Sequence, residues 1–394
     1  MTDYNKPILD EKGNPVKLLE VAAHHCIRCI KKTRALRKIG YEIHGMGSKV
    51  AYGTNEYETY TIWQSKQQLQ NAVANYIKLG VRAITWDNEP HQPAAWIREV
   101  INAMDMQDKV RLLVDCHDLE IIRRGFSPPD ELEMLNAADG LIYVSEPIQK
   151  YVNKILRISV PTIQLYSYCN KDIVEYDKNL IPNRQNLVYE GGANPPNEVQ
   201  LNTLFPYRDI HDILKKIIEM GNEVHMYCGN LSAYETFQNM GAVVYPPTDY
   251  DDLMPALTKY KYGIVVFNNK DGKQAQVNLT LTNKMFEYLM AGLPSLACWC
   301  PETEKYVDKH NIGFTFDDIS GIGDTSHLQD AYLDIMKSIK KKRKELVMEN
   351  YIWKIENLFA QLLKVNRKEI PEDIYKLSVF EYGNNDIDKL LYNG

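Results

Sequence analysis

Several common classes are excluded by what this chain lacks. No apolar run approaches the ~20 residues that a membrane span needs; Gly263–Phe267 is typical of the longest. Residues 1–20 are polar and charged and contain no signal-peptide core, which predicts a cytoplasmic protein. There is no basic excess: 46 Lys and Arg stand against 52 Asp and Glu, a net charge of −6. That argues against a general nucleic-acid binder. Cysteine is sparse and odd in number, 7 in 394 residues, and reads as reduced thiols. GxxxxGK[ST], GxGxxG after a strand, HExxH and GxSxG are all missing. NTPase, dehydrogenase, zinc-protease and serine-hydrolase readings weaken accordingly. No internal repeat and no low-complexity stretch is present.

What is there is an alternation of short apolar runs with helix-like segments. Lys17–Ala23 is apolar, Cys26–Ile39 reads helical and Tyr41–Gly45 reads as a strand. Ala83–Trp86, Val110–Asp115 and Gly140–Ser145 continue the series. A second series opens at Leu187–Gly191. It runs through a helix at Tyr207–Met220 and strands at Val224–Gly229, Gly241–Tyr245 and Gly263–Phe267. A helix at Thr282–Met290 is closed by Gly292 and Pro294, and a strand follows at Ser295–Cys298. This rhythm predicts two parallel sheets with helices on both faces, and ligands beyond the carboxyl ends of the strands. Asn170–Arg184 is the expected linker. Ala331–Val365 reads as helix broken near Asn350, and residues 367–394 carry no assignable pattern.

The sharpest local signal is Asn283-Lys284-Met285-Phe286-Glu287-Tyr288-Leu289-Met290-Ala291-Gly292-Leu293-Pro294. A helix start offers free N–H groups and partial positive charge to a phosphate. Lys284 adds a formal charge there. Glu287, one turn on, shares a face with Asn283 and Lys284, where a carboxylate can accept ribose hydroxyls. Read from the residues alone, an amphipathic core helix with a solvated Lys and Glu fits equally well.

This stretch resembles the donor-binding helix of GT-B glycosyltransferases, in particular the GT4-like family (glycosyl transferases group 1). Leu187–Gly192 resembles that family's opening strand and Gly191-Gly192 loop. Ala138–Ser145 and Val114-Asp115-Cys116-His117-Asp118 resemble two of its N-terminal-domain motifs. Tyr351–Leu363 resembles its closing helix, so the likeness runs over residues 17–365. The resemblance implies that Glu287 holds the nucleotide ribose and that Thr282, Asn283 and the Gly-Gly loop hold the diphosphate. It implies that Arg208 and Lys284 stabilise the diphosphate during reaction and that Tyr245 lies near the base. It also implies that His117 contacts the donor sugar. The family often has a second glutamate eight positions before the first; here that position is Leu279. The usual first Gly-rich loop is replaced by Ala22-Ala23-His24-His25.

Four further features have local readings. His24, His25, Asp118 and His91 lie after predicted strands, where acceptor-binding residues belong. Asp87-Asn88-Glu89-Pro90-His91 is otherwise an ordinary turn. Cys26 and Cys29 form a CxxC, but no second pair follows at zinc-finger spacing, and no metal site is expected. Arg28, Lys31, Lys32, Arg34, Arg37 and Lys38 crowd one helix, and a run at 337–344 crowds another. Each reads as a solvated face, with an anionic membrane surface or an anionic polymer as the functional alternative.

The expectation is therefore an α/β protein with the GT-B fold. It has two Rossmann-like domains facing across a cleft and a C-terminal helix crossing back. Residues 1–180 form the acceptor domain, completed by 351–394, and 185–350 form the donor domain. The expected reaction moves a sugar from a nucleoside-diphosphate sugar, UDP favoured, to a hydroxyl of a glycan, lipid-linked or other acceptor. Retention, no metal and no cofactor beyond the co-substrate are expected. A nucleotide-sugar epimerase, a non-catalytic sugar-nucleotide or glycan-binding module, and a transferase acting on modified DNA bases are the alternatives.

Overall fold

A computed structural model describes residues 2–87, 89–171, 173–175, 185–229 and 233–392. The chain divides into two compact units, one of Met1–Asn170 with Met348–Gly394 and one of Lys171–Val347. Most of the expected linker, including 176–184, lies outside the described residues, as does Asn88.

The first unit is built on seven strands: β1 (Lys17–Val21), β2 (Ile43–Gly47), β3 (Tyr60–Ile62), β4 (Val81–Asp87), β5 (Arg111–Cys116), β6 (Gly140–Tyr143) and β7 (Thr162–Gln164). Their order is β3-β2-β1-β4-β5-β6-β7, and every neighbouring pair is parallel. A parallel sheet is covered on both faces, so its central strands are apolar without alternation. Leu112, Leu113 and Val114 of β5 are fully buried in this way. Serines 65 and 145 start two of the crossover helices by accepting the N–H of Gln68 and of Ile148.

The returning segment belongs to this unit. Helix Trp353–Leu363 is buried over most of its length, and Arg111 donates to the carbonyl of Leu362 at 2.9 Å. Tyr168 and Tyr351 stack with centroids 4.4 Å apart, and the Tyr382 hydroxyl meets that of Tyr168 at 3.1 Å. Residues 367–394, unassigned from sequence, contain helices Glu372–Tyr382 and Asn384–Leu391.

The second unit has six strands: β8 (Gln185–Glu190), β9 (Val224–Tyr227), β10 (Val243–Tyr245), β11 (Tyr260–Val266), β12 (Ser295–Cys298) and β13 (Gly313–Phe316). They run β10-β9-β8-β11-β12-β13, again all parallel. In each sheet the strand order reverses beside the first strand, at β1/β4 and at β8/β11. Those are the points where such sheets hold ligands.

Three expectations need correction. The helix expected at Tyr207–Met220 is a 3-10 turn at Pro206–Arg208 followed by helix His211–Glu219, because the backbone leaves helical geometry at Asp209 and Ile210. Strands β3, β7 and β13 were not apparent, being three or four residues long. The basic run on helix Ile27–Ile39 is not a solvated face. Arg28, Lys31 and Lys32 are fully buried, Arg34 and Arg37 pair with Glu56, and Lys38 pairs with Glu349. Half the cations point into the fold, and the others are matched by carboxylates within it. This removes the reason to read the run as a membrane or polymer contact. Among the described residues no helix is long and apolar enough to cross a membrane.

Candidate functional site

The second unit's site begins at Gly263 in β11. A Cβ there would lie 2.2 Å from the Tyr288 ring, so only glycine lets that ring pack on the strand. The buried Tyr288 hydroxyl then accepts the Glu190 N–H at 3.0 Å. This ties helix Asn283–Ala291 to the end of β8. Gly191 follows with φ +111°, a left-handed value that glycine alone adopts cheaply. The Tyr189 hydroxyl donates to the Gly192 carbonyl at 2.8 Å and pins the loop.

Two cations close on that loop. A Cβ on Gly191 would meet Lys284 Nζ at 3.0 Å, and one on Gly192 would meet an Arg208 guanidinium nitrogen at 3.3 Å. Arg208 stacks on Phe205, 4.8 Å from the ring centroid, and has no ion pair among the described residues. Lys284 is buried, with Nζ 5.1 Å from the Tyr189 centroid and 5.2 Å from that of Phe267. Burial lowers its pKa. Glu190 and Glu287 oppose that shift, and Arg208 adds to it. Two cations held beside an exposed backbone loop suit a dianionic or trianionic ligand. The helix start is right for the same purpose: Thr282 makes no side-chain cap, and the first turn carries no acid. Asn283 is exposed there, while Glu287 is buried one turn on.

Gly191, Gly192, Arg208 and Lys284 are thus brought together, with Thr282, Asn283 and Glu287 on the same helix as Lys284. Tyr245 has a different setting. It stacks on Tyr227 with centroids 4.6 Å apart, and its hydroxyl lies 3.1 Å from His225 Nδ1. Tyr227, Tyr245, Tyr260 and His225 form an aromatic row on the sheet, which occupies the Tyr245 ring.

In the first unit, the ends of β1, β4 and β5 enclose a buried polar cluster that sequence reading treated as separate loops. Arg28 Nε binds both oxygens of Asp115 at 2.9 and 3.1 Å, and its NH1 group donates to Ser167 at 3.1 Å. Lys32 lies between Asp115, Glu20 at 3.3 Å and Asp87 at 3.9 Å. Burial raises the Asp115 pKa, but Arg28 and Lys32 outweigh it and hold the carboxyl below the usual range. The available signal was an aspartate ending each of two adjacent strands, with cations one turn apart on the first helix.

His117 sits beside this cluster, half-buried. Its Nδ1 lies 3.2 Å from the Asp115 carbonyl. Burial acts to lower its pKa, but the hydrogen bond and charge of Cys26 dominate, so it is pushed up to about 10. Asp118 pairs with Arg123 at 2.9 Å. His24 is exposed, with Nδ1 3.3 Å from Ser48 Oγ. His25 is buried and both its nitrogens are used, one with the Met46 carbonyl at 3.0 Å and one with the Tyr57 hydroxyl at 2.8 Å. His91 is also buried, 3.4 Å from Asp130 and 3.5 Å from Glu131 of helix Pro129–Ala137. The histidines are therefore not one constellation: His25 and His91 are engaged in packing, while His24 and His117 remain at the strand ends.

No protein-family model and no curated protein matches the chain. Solved structures do. A sucrose-phosphate synthase from Thermosynechococcus elongatus aligns with TM-score 0.61 at 12% identity, over 88% of this chain and 99% of its own. AviGT4, a glycosyltransferase involved in avilamycin A biosynthesis, aligns with TM-score 0.51 at 9% identity, over 89% and 98%. UGT89C1 of Arabidopsis thaliana aligns with TM-score 0.50 at 12% identity, over 88% and 99%. With its two parallel sheets of seven and six strands, the chain has the GT-B fold.

Proposed function

We propose that this protein is a glycosyltransferase that uses a nucleoside-diphosphate sugar. The observation that carries the reading is the convergence of Gly191, Gly192, Arg208, Lys284 and the uncapped start of helix Asn283–Ala291 at the β8/β11 reversal point. Two structures of the same fold are by title a sucrose-phosphate synthase and a glycosyltransferase, which supports the same chemistry here.

In the proposed reaction the bond between the anomeric carbon and the β-phosphate oxygen breaks, and an acceptor hydroxyl bonds to that carbon while its proton passes to the departing diphosphate. Negative charge grows on the departing diphosphate. Arg208 and Lys284 already lie against one loop, so little reorganisation is needed as it grows. Preorganised donors of this kind are commonly the largest catalytic contribution. Two protein cations can balance the diphosphate, so the proposal assigns no metal ion to it. Glu287 accepts from the ribose, and UDP is the favoured carrier. His117 contacts the transferred sugar, and His24 with Asp118 serves the acceptor hydroxyl. Retention of configuration is part of the proposal.

The test is release of nucleoside diphosphate from a panel of nucleotide sugars with and without glycan acceptors, with product anomers read by NMR. Acceptor-dependent release that His117→Ala reduces at least tenfold supports the reading. Sugar interconversion without an acceptor would make the protein an epimerase, and binding without turnover would make it a recognition module. Steeply salt-dependent DNA binding would favour a DNA-base acceptor.

A further inference from the structure

The reaction proposed above leaves one group of the first unit unused. Cys26, Cys29 and Asp87 each offer a ligand atom within 4.8 Å of the other two. The two Sγ atoms are 3.7 Å apart, and Cys26 Sγ is 3.7 Å from Asp87 Oδ2, the oxygen that Cys29 also contacts. Two thiolates about 2.3 Å from a tetrahedral zinc stand about 3.8 Å apart, and a thiolate and a carboxylate oxygen about 3.5 Å. The two separations from Cys26 match those edges, while Cys29 and Asp87 stand closer, in the direct contact of a thiol with a carboxylate, and would part slightly around an ion. A disulfide would need the sulfurs at about 2.05 Å.

The chain geometry also suits a chelate. Cys26 caps helix Ile27–Ile39 and Cys29 lies in its first turn, so the pair shares a face. Asp87 arrives from the end of β4, the strand beside β1. Cys29 and Asp87 are buried, and Cys26 is half-buried. Asp87 Oδ1 has no hydrogen-bond partner among the described residues. His117 hydrogen-bonds Cys26 and favours its thiolate, the form that binds a metal.

We propose that Cys26, Cys29 and Asp87 bind one zinc ion, with the fourth position taken by water. Two sulfurs with one carboxylate donor select zinc over magnesium or calcium. Zinc takes the place of two protons that the cysteine pair and its hydrogen-bonded partners release to solvent, and it bonds to both sulfurs and one carboxylate oxygen. Net charge is unchanged and no oxidant is consumed. The ion clamps the loop after β1 to the end of β4 and takes no part in the diphosphate group.

The test uses the full chain, expressed with added zinc and purified without a metal-chelating tag. Elemental analysis is expected to find roughly one zinc per chain. Cys26→Ser with Cys29→Ser should lose it, and Cys298→Ala should keep it. Zinc should leave when a mercurial titrates the wild-type thiols, and cobalt(II) added to the metal-free chain should give thiolate charge-transfer bands and intense tetrahedral d–d bands. These two wild-type measurements decide the matter if the double variant fails to fold. Zinc far below one per chain, no cobalt–thiolate bands, or a Cys26–Cys29 disulfide in the purified protein would overturn the proposal.

Discussion

Replacing Lys284 by methionine separates a ligand-binding lysine from a structural one. The side chain keeps its length and loses its charge. Lys284 is buried, and burial outweighs the attraction of Glu190 and Glu287, so the free protein holds the ammonium at a net cost. Removing it should leave the stability of the free protein unchanged or higher. A charge-assisted hydrogen bond to phosphate is worth about 1.5–3 kcal/mol. Affinity for the nucleoside diphosphate should therefore fall by about 10- to 150-fold. The assay pairs isothermal titration with urea unfolding on the same preparations. If Lys284 instead serves as a buried partner of Glu190, its loss should destabilise the fold by about 3–5 kcal/mol. That destabilisation with unchanged nucleotide affinity would refute the reasoning.

Three other outcomes follow from the same geometry. Diphosphate affinity should fall as pH rises above the lowered pKa of free Lys284, because binding a polyanion favours the protonated amine and takes up a proton; titration in buffers of different ionisation enthalpy reads that uptake. Gly263→Ala places a methyl group 2.2 Å from the Tyr288 ring and should cost at least about 1–3 kcal/mol of stability, whereas Gly229→Ala, whose added methyl meets nothing within 4 Å among the described residues, should stay within about 0.5 kcal/mol. Lys354 is buried with Nζ 3.0 Å above the Tyr382 ring, and burial holds its pKa well below the ordinary value. The unfolded chain then binds more protons, so Lys354's contribution rises with pH between its folded pKa and ~10.4. Lys354→Met should raise stability at neutral pH and flatten that slope in urea titrations across pH.

The fold was largely legible because a covered parallel sheet writes itself as apolar runs separated by helices. Strands β1, β4, β5, β8, β11 and β12 all sit on such runs. Short edge strands such as β3 were missed because three residues with partial exposure carry little pattern. In the second unit, the placing of Lys284 and Glu287 on one helix was legible. The contact of Arg208 with Gly192 was not visible as geometry, since a 3-10 turn sets it rather than the helix that the sequence suggested. The basic run on helix Ile27–Ile39 misled because its partners, Asp115, Glu20 and Glu56, come from distant parts of the chain. The CxxC was set aside for want of a second pair at zinc-finger spacing. Its third partner, Asp87, lies 58 residues beyond Cys29 and is brought in by strand pairing.

The central claim is that Gly191, Gly192, Arg208, Lys284 and Glu287 form a nucleoside-diphosphate site. The most direct test is thermal unfolding of wild type, Arg208→Met and Glu287→Ala against UDP-, GDP-, ADP- and CMP-sugars, since a ligand of the folded state raises the midpoint with the logarithm of its concentration over Kd. The account predicts a shift with one nucleoside-diphosphate class, UDP first, that both substitutions abolish or sharply reduce. No shift with any of the nucleotides, or an equal shift in wild type and both variants, would contradict it.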